Sequence, residues 1–166
     1  MAIAAAGAGC GSGTQEPPDG APQDADFLQC DMTPAVDYAA GMHVTSTSGA
    51  YVVTLVSAKA DPPGGGATVN IAASGTDTWT VSVTDTSGGA PSAVTMTGEK
   101  PWMPVHMHGS STYPTVTAGD PGMFIVSKLD FFMTGYWSVP FDLQATAGTA
   151  DAGAMDKATF AICLRQ

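Results

Sequence analysis

Between Met42 and Arg165, apolar side chains fall on every second residue in short runs separated by Gly, Pro, Asp and Ser. A period of two sends alternate side chains to opposite faces of an extended chain, so each run predicts a strand with one face in a core. Met42 and Val44 alternate with His43 and Thr45, and Tyr51, Val53 and Leu55 share one face of the run 51–58. That run leads into DPPGGG (61–66), a strong chain breaker. The clearest alternation is 78–84, where Trp79, Val81 and Val83 oppose Thr78, Thr80, Ser82 and Thr84. After the turn-like DTSGGAP (85–91), Val94 and Met96 alternate with Ala93, Thr95 and Thr97. Three further runs follow, at 122–129, 136–143 and 159–165. In the second, Trp137, Val139, Phe141 and Leu143 point inward; in the third, Phe160, Ile162 and Leu164 do, and Cys163 points outward. Pro140 lacks the N–H of a ladder, which predicts an edge strand or a bulge there. About seven short strands at this spacing predict an all-β, immunoglobulin-like antiparallel β-sandwich with Trp79, Val81, Val83, Trp137, Val139 and Phe141 in its core. The segment Glu99–Pro121 breaks the alternation.

Composition agrees with the pattern. The chain is rich in Thr, Val, Ser, Gly, Ala and Pro and poor in the long residues that favour helices. Its 166 residues suit one domain with a tail. Five Lys and Arg against fifteen Asp and Glu give a net charge of −10, which argues against nucleic acid and anionic lipid surfaces as partners. No run of 18 apolar residues is present, so no helical membrane span is expected. The N-terminus changes the picture. MAIAAAGAG precedes Cys10, and a polar Gly/Ser/Pro/Asp run continues to about Asp26. Small residues before a Cys and a tether behind it resemble the lipobox of bacterial lipoproteins. The resemblance implies lipidation at Cys10, a signal that begins upstream of Met1, export, and membrane attachment through lipid alone. The expected organisation is a signal end at 1–10, a tether at 11–35 and a sandwich at 36–166. A plain Ala/Gly tail with a free thiol is the alternative. With Cys10 lipidated, Cys30 and Cys163 remain to pair across the domain. Their bridge would close a loop worth about 4–5 kcal/mol in chain entropy and needs an oxidising compartment. Two unrelated thiols are the other reading.

One segment carries candidate chemistry. PWMPVHMHG (101–109) gathers Trp102, Met103, His106, Met107 and His108, and Met123 and Met133 follow in flanking segments. On an extended backbone His106 and His108 would project to one side and Met107 to the other. Imidazole with thioether suits a soft ion, with Cu(I) ahead of zinc, and Met103, His106, His108 and Met133 are the candidate ligands. Met also fills irregular core gaps, and Trp102 between two prolines equally describes a loop packed on the sandwich end. His43 stands alone at an outward position. No hydrolase elbow and no nucleotide-binding glycine pattern occurs, and the His count is too low for a copper–zinc dismutase or a multicopper oxidase. A non-enzyme is expected.

WTVSVTD (79–85), GAP (89–91), WMPVHMHGSS (102–111), PTVT (114–117), Gly122–Phe124 and FFMTGYWSV (131–139) together resemble the FixH/YtkA-like family. The resemblance covers about Asp77 to Leu143 and carries over Met103, Pro104, His106, His108, Gly109, Met133, Gly135 and Trp137. It implies a periplasmic immunoglobulin-like domain, in some relatives linked to copper supply for haem–copper oxidases. Two features depart from the family: Met123-Phe124 stands where another aromatic pattern is usual, and there is no membrane helix. The function expected is a lipid-anchored copper-binding module of the envelope, working with a copper-handling or other envelope protein. A metal-free structural or interaction domain is the alternative.

Overall fold

The computed structural model describes residues 30, 36–37, 39–61, 75–90, 94–146 and 153–164. Cys10 and the tether expected at 11–35, apart from Cys30, lie outside the described residues, as does most of the 61–66 breaker. Among the described residues eleven strands form: β1 (Val36–Asp37), β2 (His43–Thr45), β3 (Tyr51–Asp61), β4 (Gly75–Asp85), β5 (Val94–Gly98), β6 (Trp102–Met103), β7 (His108–Gly109), β8 (Thr115–Ala118), β9 (Met123–Phe131), β10 (Gly135–Ala145) and β11 (Met155–Leu164).

They build two sheets. One has the order β2-β3-β4-β9-β8; the other runs β1-β11-β10-β6-β7, with β5 also paired to β10. All pairings are antiparallel except the two-residue one between β1 and β11. Taking β3, β4, β5, β8, β9, β10 and β11 as A to G, the sheets are A-B-E-D and G-F-C, the seven-strand immunoglobulin arrangement. The expected fold class is therefore observed, with four short strands added to the seven.

The alternation of the sequence explains the core. All six residues assigned to it are at most 1% exposed. Trp79 joins the sheets: from β4 its ring meets Phe131 of β9 at 6.0 Å, and Phe160 and Phe141 of the opposite sheet at 5.8 and 6.5 Å. Two strands keep the core filled by changing phase. In β3 the extra residue near Val56 moves the inward side from Val53 and Leu55 to Ala58. In β9 the inward set passes from Phe124 and Val126 to Leu129 and Phe131 across a bulge at Lys128, whose φ is 62°.

Two expectations need correction. Glu99–Pro121 is not strandless, because β6, β7 and β8 lie within it. They are too short to show alternation. Pro140 is neither at an edge nor at a bulge: β10 lies inside its sheet and pairs β11 continuously from Gly135 to Gln144. The proline is tolerated because its N and C=O face the other side, where the neighbour changes from β5 to β6; there Glu99 N donates to Pro140 O at 3.1 Å.

Cys30 and Cys163 are disulfide-bonded, with Cα atoms 5.7 Å apart and a sequence separation of 133. Cys163 is on the outward face of β11, as expected, yet only 3% exposed.

Candidate metal centre

The site residues sit where the β6–β7 hairpin closes one end of the sandwich. Trp102 pairs with Gly109 and Met103 with His108, so the loop is Pro104–Met107. Met107 N donates to Met103 O at 3.0 Å, which closes the turn, and Met107 takes φ 57° to re-enter the second strand. The backbone between the histidines is thus turned, not extended, and the expected same-side projection arises differently. His106 belongs to the turn and His108 to β7. Their rings stack with centroids 5.4 Å apart and planes at 27°.

Gly109 is fixed by packing. A Cβ there would lie 2.5 Å from Pro101 O and 2.8 Å from the Trp102 ring. The Trp102 ring lies against this glycine on the outer face, which frees the inner face for Met103 and His108. Directly opposed residues of an antiparallel pair share a face with Cβ atoms about 4.5–5.5 Å apart, so Met103 and His108 are side by side. Met103 is fully buried in the core cluster. The His pair is mounted on a series of rings. His108 meets Phe132 at 5.3 Å, and Phe132 meets Trp137 edge-on at 5.3 Å. Trp137 Nε1 donates to Met133 O at 3.0 Å, which pins the 132–134 loop beside the hairpin. The structure therefore brings Met103, His106 and His108 together. Met133 shares the same end of the molecule, half-buried against the core one residue beyond Phe132. His43 is exposed on β2, as expected.

The decisive feature is electrostatic. His106 Nε2 and His108 Nδ1 are both buried and have no hydrogen-bond partner. A buried polar atom left unpaired costs about 1–3 kcal/mol, and such atoms are met by an ordered water, by an ion or by a strain role. Trp79 Nε1 is also buried and unpaired, but it is a donor only and cannot hold a cation. An imidazole nitrogen can. Among the described residues no three His, Cys, Asp or Glu side chains assemble as a metal group. Any ion held here therefore relies on the two imidazoles with thioether sulfur, a donor set that favours Cu(I) over hard cations.

Sequence reasoning missed Phe132 as the platform for His108 and gave Met107 no part in the site. Phe132 lies three residues beyond the run 122–129, so periodicity says nothing about it. Met107 is distinguished only by its backbone conformation. Comparison with protein-family models, with curated proteins and with solved structures found no match in any of the three.

Proposed function

We propose that this chain is an envelope-anchored copper-binding module of the bacterial periplasm, similar in kind to FixH/YtkA-like domains, that holds one Cu(I) at His106 and His108 with thioether support from Met103 and Met133. One observation carries the reading: two neighbouring imidazoles, each with a buried nitrogen that has no partner. Neutral imidazole supplies nitrogen donors, and thioethers supply soft donors that neither protonate nor oxidise to disulfides. The chain's own part is to hold the rings. The hairpin register sets His108 beside Met103, Phe132 backs the His108 ring, and the Trp137–Met133 bond fixes the adjoining loop. Acid opposes binding, because protonation removes the imidazole lone pair. The Cys30–Cys163 bridge supports export, since such bridges persist in oxidising compartments. Lipidation at Cys10 remains part of the proposal through the lipobox resemblance. The role is cargo binding, not catalysis.

A second reading has its own support. Met103 is fully buried as a core residue, while Trp102, Val105, Met107 and Phe132 expose apolar surface at the same end. A metal-free interaction domain would show those two features. Titration of the purified full chain with Cu(I) against the chelator bicinchoninate separates the readings. The copper reading expects one ion per chain, lost on replacing both His106 and His108 by Ala while the sandwich stays folded. A double variant that keeps the wild-type affinity leaves the interaction reading standing.

A further inference from the structure

Met107 is held in a conformation that its residue type disfavours. Its φ of 57° places it in the left-handed region, which glycine adopts freely and a side chain with a Cβ adopts at a cost. The turn demands this geometry, because Met107 N must reach Met103 O before the chain enters β7. Glycine or asparagine would satisfy the turn more cheaply. Among the described residues the other non-glycine with positive φ is Lys128, at φ 62° in the β9 bulge, so the backbone alone identifies nothing. Met107 differs in what surrounds it. It lies between the two histidines whose buried nitrogens have no partner, and its side chain is 76% exposed. Core packing therefore does not account for a thioether at this position.

We propose that the Met107 thioether is the outer ligand through which Cu(I) enters and leaves the His106–His108 pair. This rests on the copper reading above. Exchange at a d10 ion with few ligands proceeds by addition of an incoming donor before an old one departs. An inward transfer forms a Cu–Sδ bond at Met107 and breaks the bond to the donor in solution, then forms Cu–N bonds to the imidazoles as the Cu–Sδ bond breaks. Copper stays Cu(I) throughout. No electron moves, and neutral imidazoles release no proton. An exposed thioether on a tight turn supplies a soft site in water one residue from each buried nitrogen. The left-handed backbone points that side chain away from the core, where a partner or chelator can reach it.

The test compares wild type with Met107→Leu and Met107→Gly as full chains. Leu keeps the strain and the apolar bulk but has no sulfur. Gly removes both and should raise Tm by about 2 °C, because it relieves the turn. The readouts are the equilibrium Cu(I) affinity and the rate at which excess bicinchoninate extracts the ion. Both variants should extract about tenfold more slowly than wild type, with affinity changed by less than about threefold. Wild-type extraction rates in Met107→Leu would overturn the outer-ligand role and leave the copper site intact. A large loss of affinity at an unchanged rate would overturn it too, making Met107 a permanent ligand. Failure of the wild type to bind Cu(I) removes the copper reading and this inference together.

Discussion

The two ends of the sandwich treat their polar groups in opposite ways. At the end formed by the loops after β2 and β4, the polar side chains are paired. Ser48 N and Oγ both donate to the Asp156 carboxylate, and Thr47 N and Oγ1 donate to Lys157 O, which ties the β2–β3 loop to the opposite sheet. Asp85 accepts from Ser87 N, Ser87 Oγ and Gly89 N at 2.6–3.0 Å, closing its own turn. At the other end, the β6–β7 hairpin carries two buried unpaired ring nitrogens, a methionine with positive φ and several exposed apolar side chains. Folding alone explains the first end. The second carries buried ring nitrogens and a backbone conformation whose cost its own contacts do not repay.

The largest effect that sharpens this contrast is removal of the bridge that anchors the hairpin end. Replacing Cys30 and Cys163 by Ala frees a loop of 133 residues and should cost about 5 kcal/mol in the chain-entropy model. Urea unfolding of the two proteins measures it. A loss below about 1 kcal/mol would mean that the N-terminal segment is tied down by packing alone.

Next comes Met103, where the two readings of the hairpin end meet. Met103→Ala should destabilise by about 2–5 kcal/mol, as for other large-to-small changes at fully buried sites. Met103→Leu conserves volume and should cost less than about 1.5 kcal/mol. If the thioether is a ligand, Leu still lowers Cu(I) affinity at least tenfold. Stability and affinity measured on both variants separate packing from coordination. A Leu variant with unchanged copper affinity makes Met103 a core residue only.

Much of this was legible in the sequence because alternation reports directly on burial. Trp79, Val81 and Val83, and Trp137, Val139 and Phe141, were assigned inward from their spacing and are buried. The pairing of Cys30 with Cys163 followed from their places at the two edges of the domain, and the fold class followed from the runs, although the seven strands of the sandwich take β8 in place of the run at Met42–Thr45. Three things were hidden. Thr115–Ala118 forms a four-residue edge strand on which only Val116 is partly buried against the core, so it leaves too little alternation to read. Pro140 looked like an edge signal because sequence cannot tell which side of a strand its nitrogen faces. At the hairpin, the residue types suggested soft-metal chemistry, but the turn that stacks His106 on His108 depends on a methionine adopting a glycine-like φ. No rule of composition predicts that.

A smaller effect belongs to the paired end. Asp156→Ala removes the acceptor of the Ser48 bonds at the surface and should cost about 1 kcal/mol. Copper affinity should not change, since Asp156 lies at the far end of β11 from the residues that pair with Tyr136 and Gly135. A change in copper affinity would mean that the two ends are coupled, and the contrast drawn between them would fail.

The smallest effect is in the pH dependence of stability at the paired end. Burial pushes the Asp156 carboxyl up, but hydrogen bonds from the Ser46 and Ser48 side chains and from the Ser48 and Lys157 amides outweigh it and hold the carboxyl below its usual value. Asp85 is likewise lowered, by the Ser87 hydroxyl first and then the Gly89 amide. A carboxylate whose folded pKa lies below the unfolded one adds stability that is present above about pH 4 and is lost as pH falls through the folded value. Lys157 has the opposite sign. Its bond to Glu99 raises it, burial opposes the rise, and the Asp142 charge adds to it. Its contribution is therefore present below about pH 10.4 and is lost as pH climbs through the folded value. In urea unfolding of the copper-free protein, wild type and Asp156→Ala should converge as pH falls below about 4, and wild type and Lys157→Met should converge above about 10.5. A gap between wild type and Asp156→Ala that stays constant down to pH 2 would show that the Ser48 bonds stabilise the loop without any charge on Asp156, so that what distinguishes the paired end is hydrogen bonding alone.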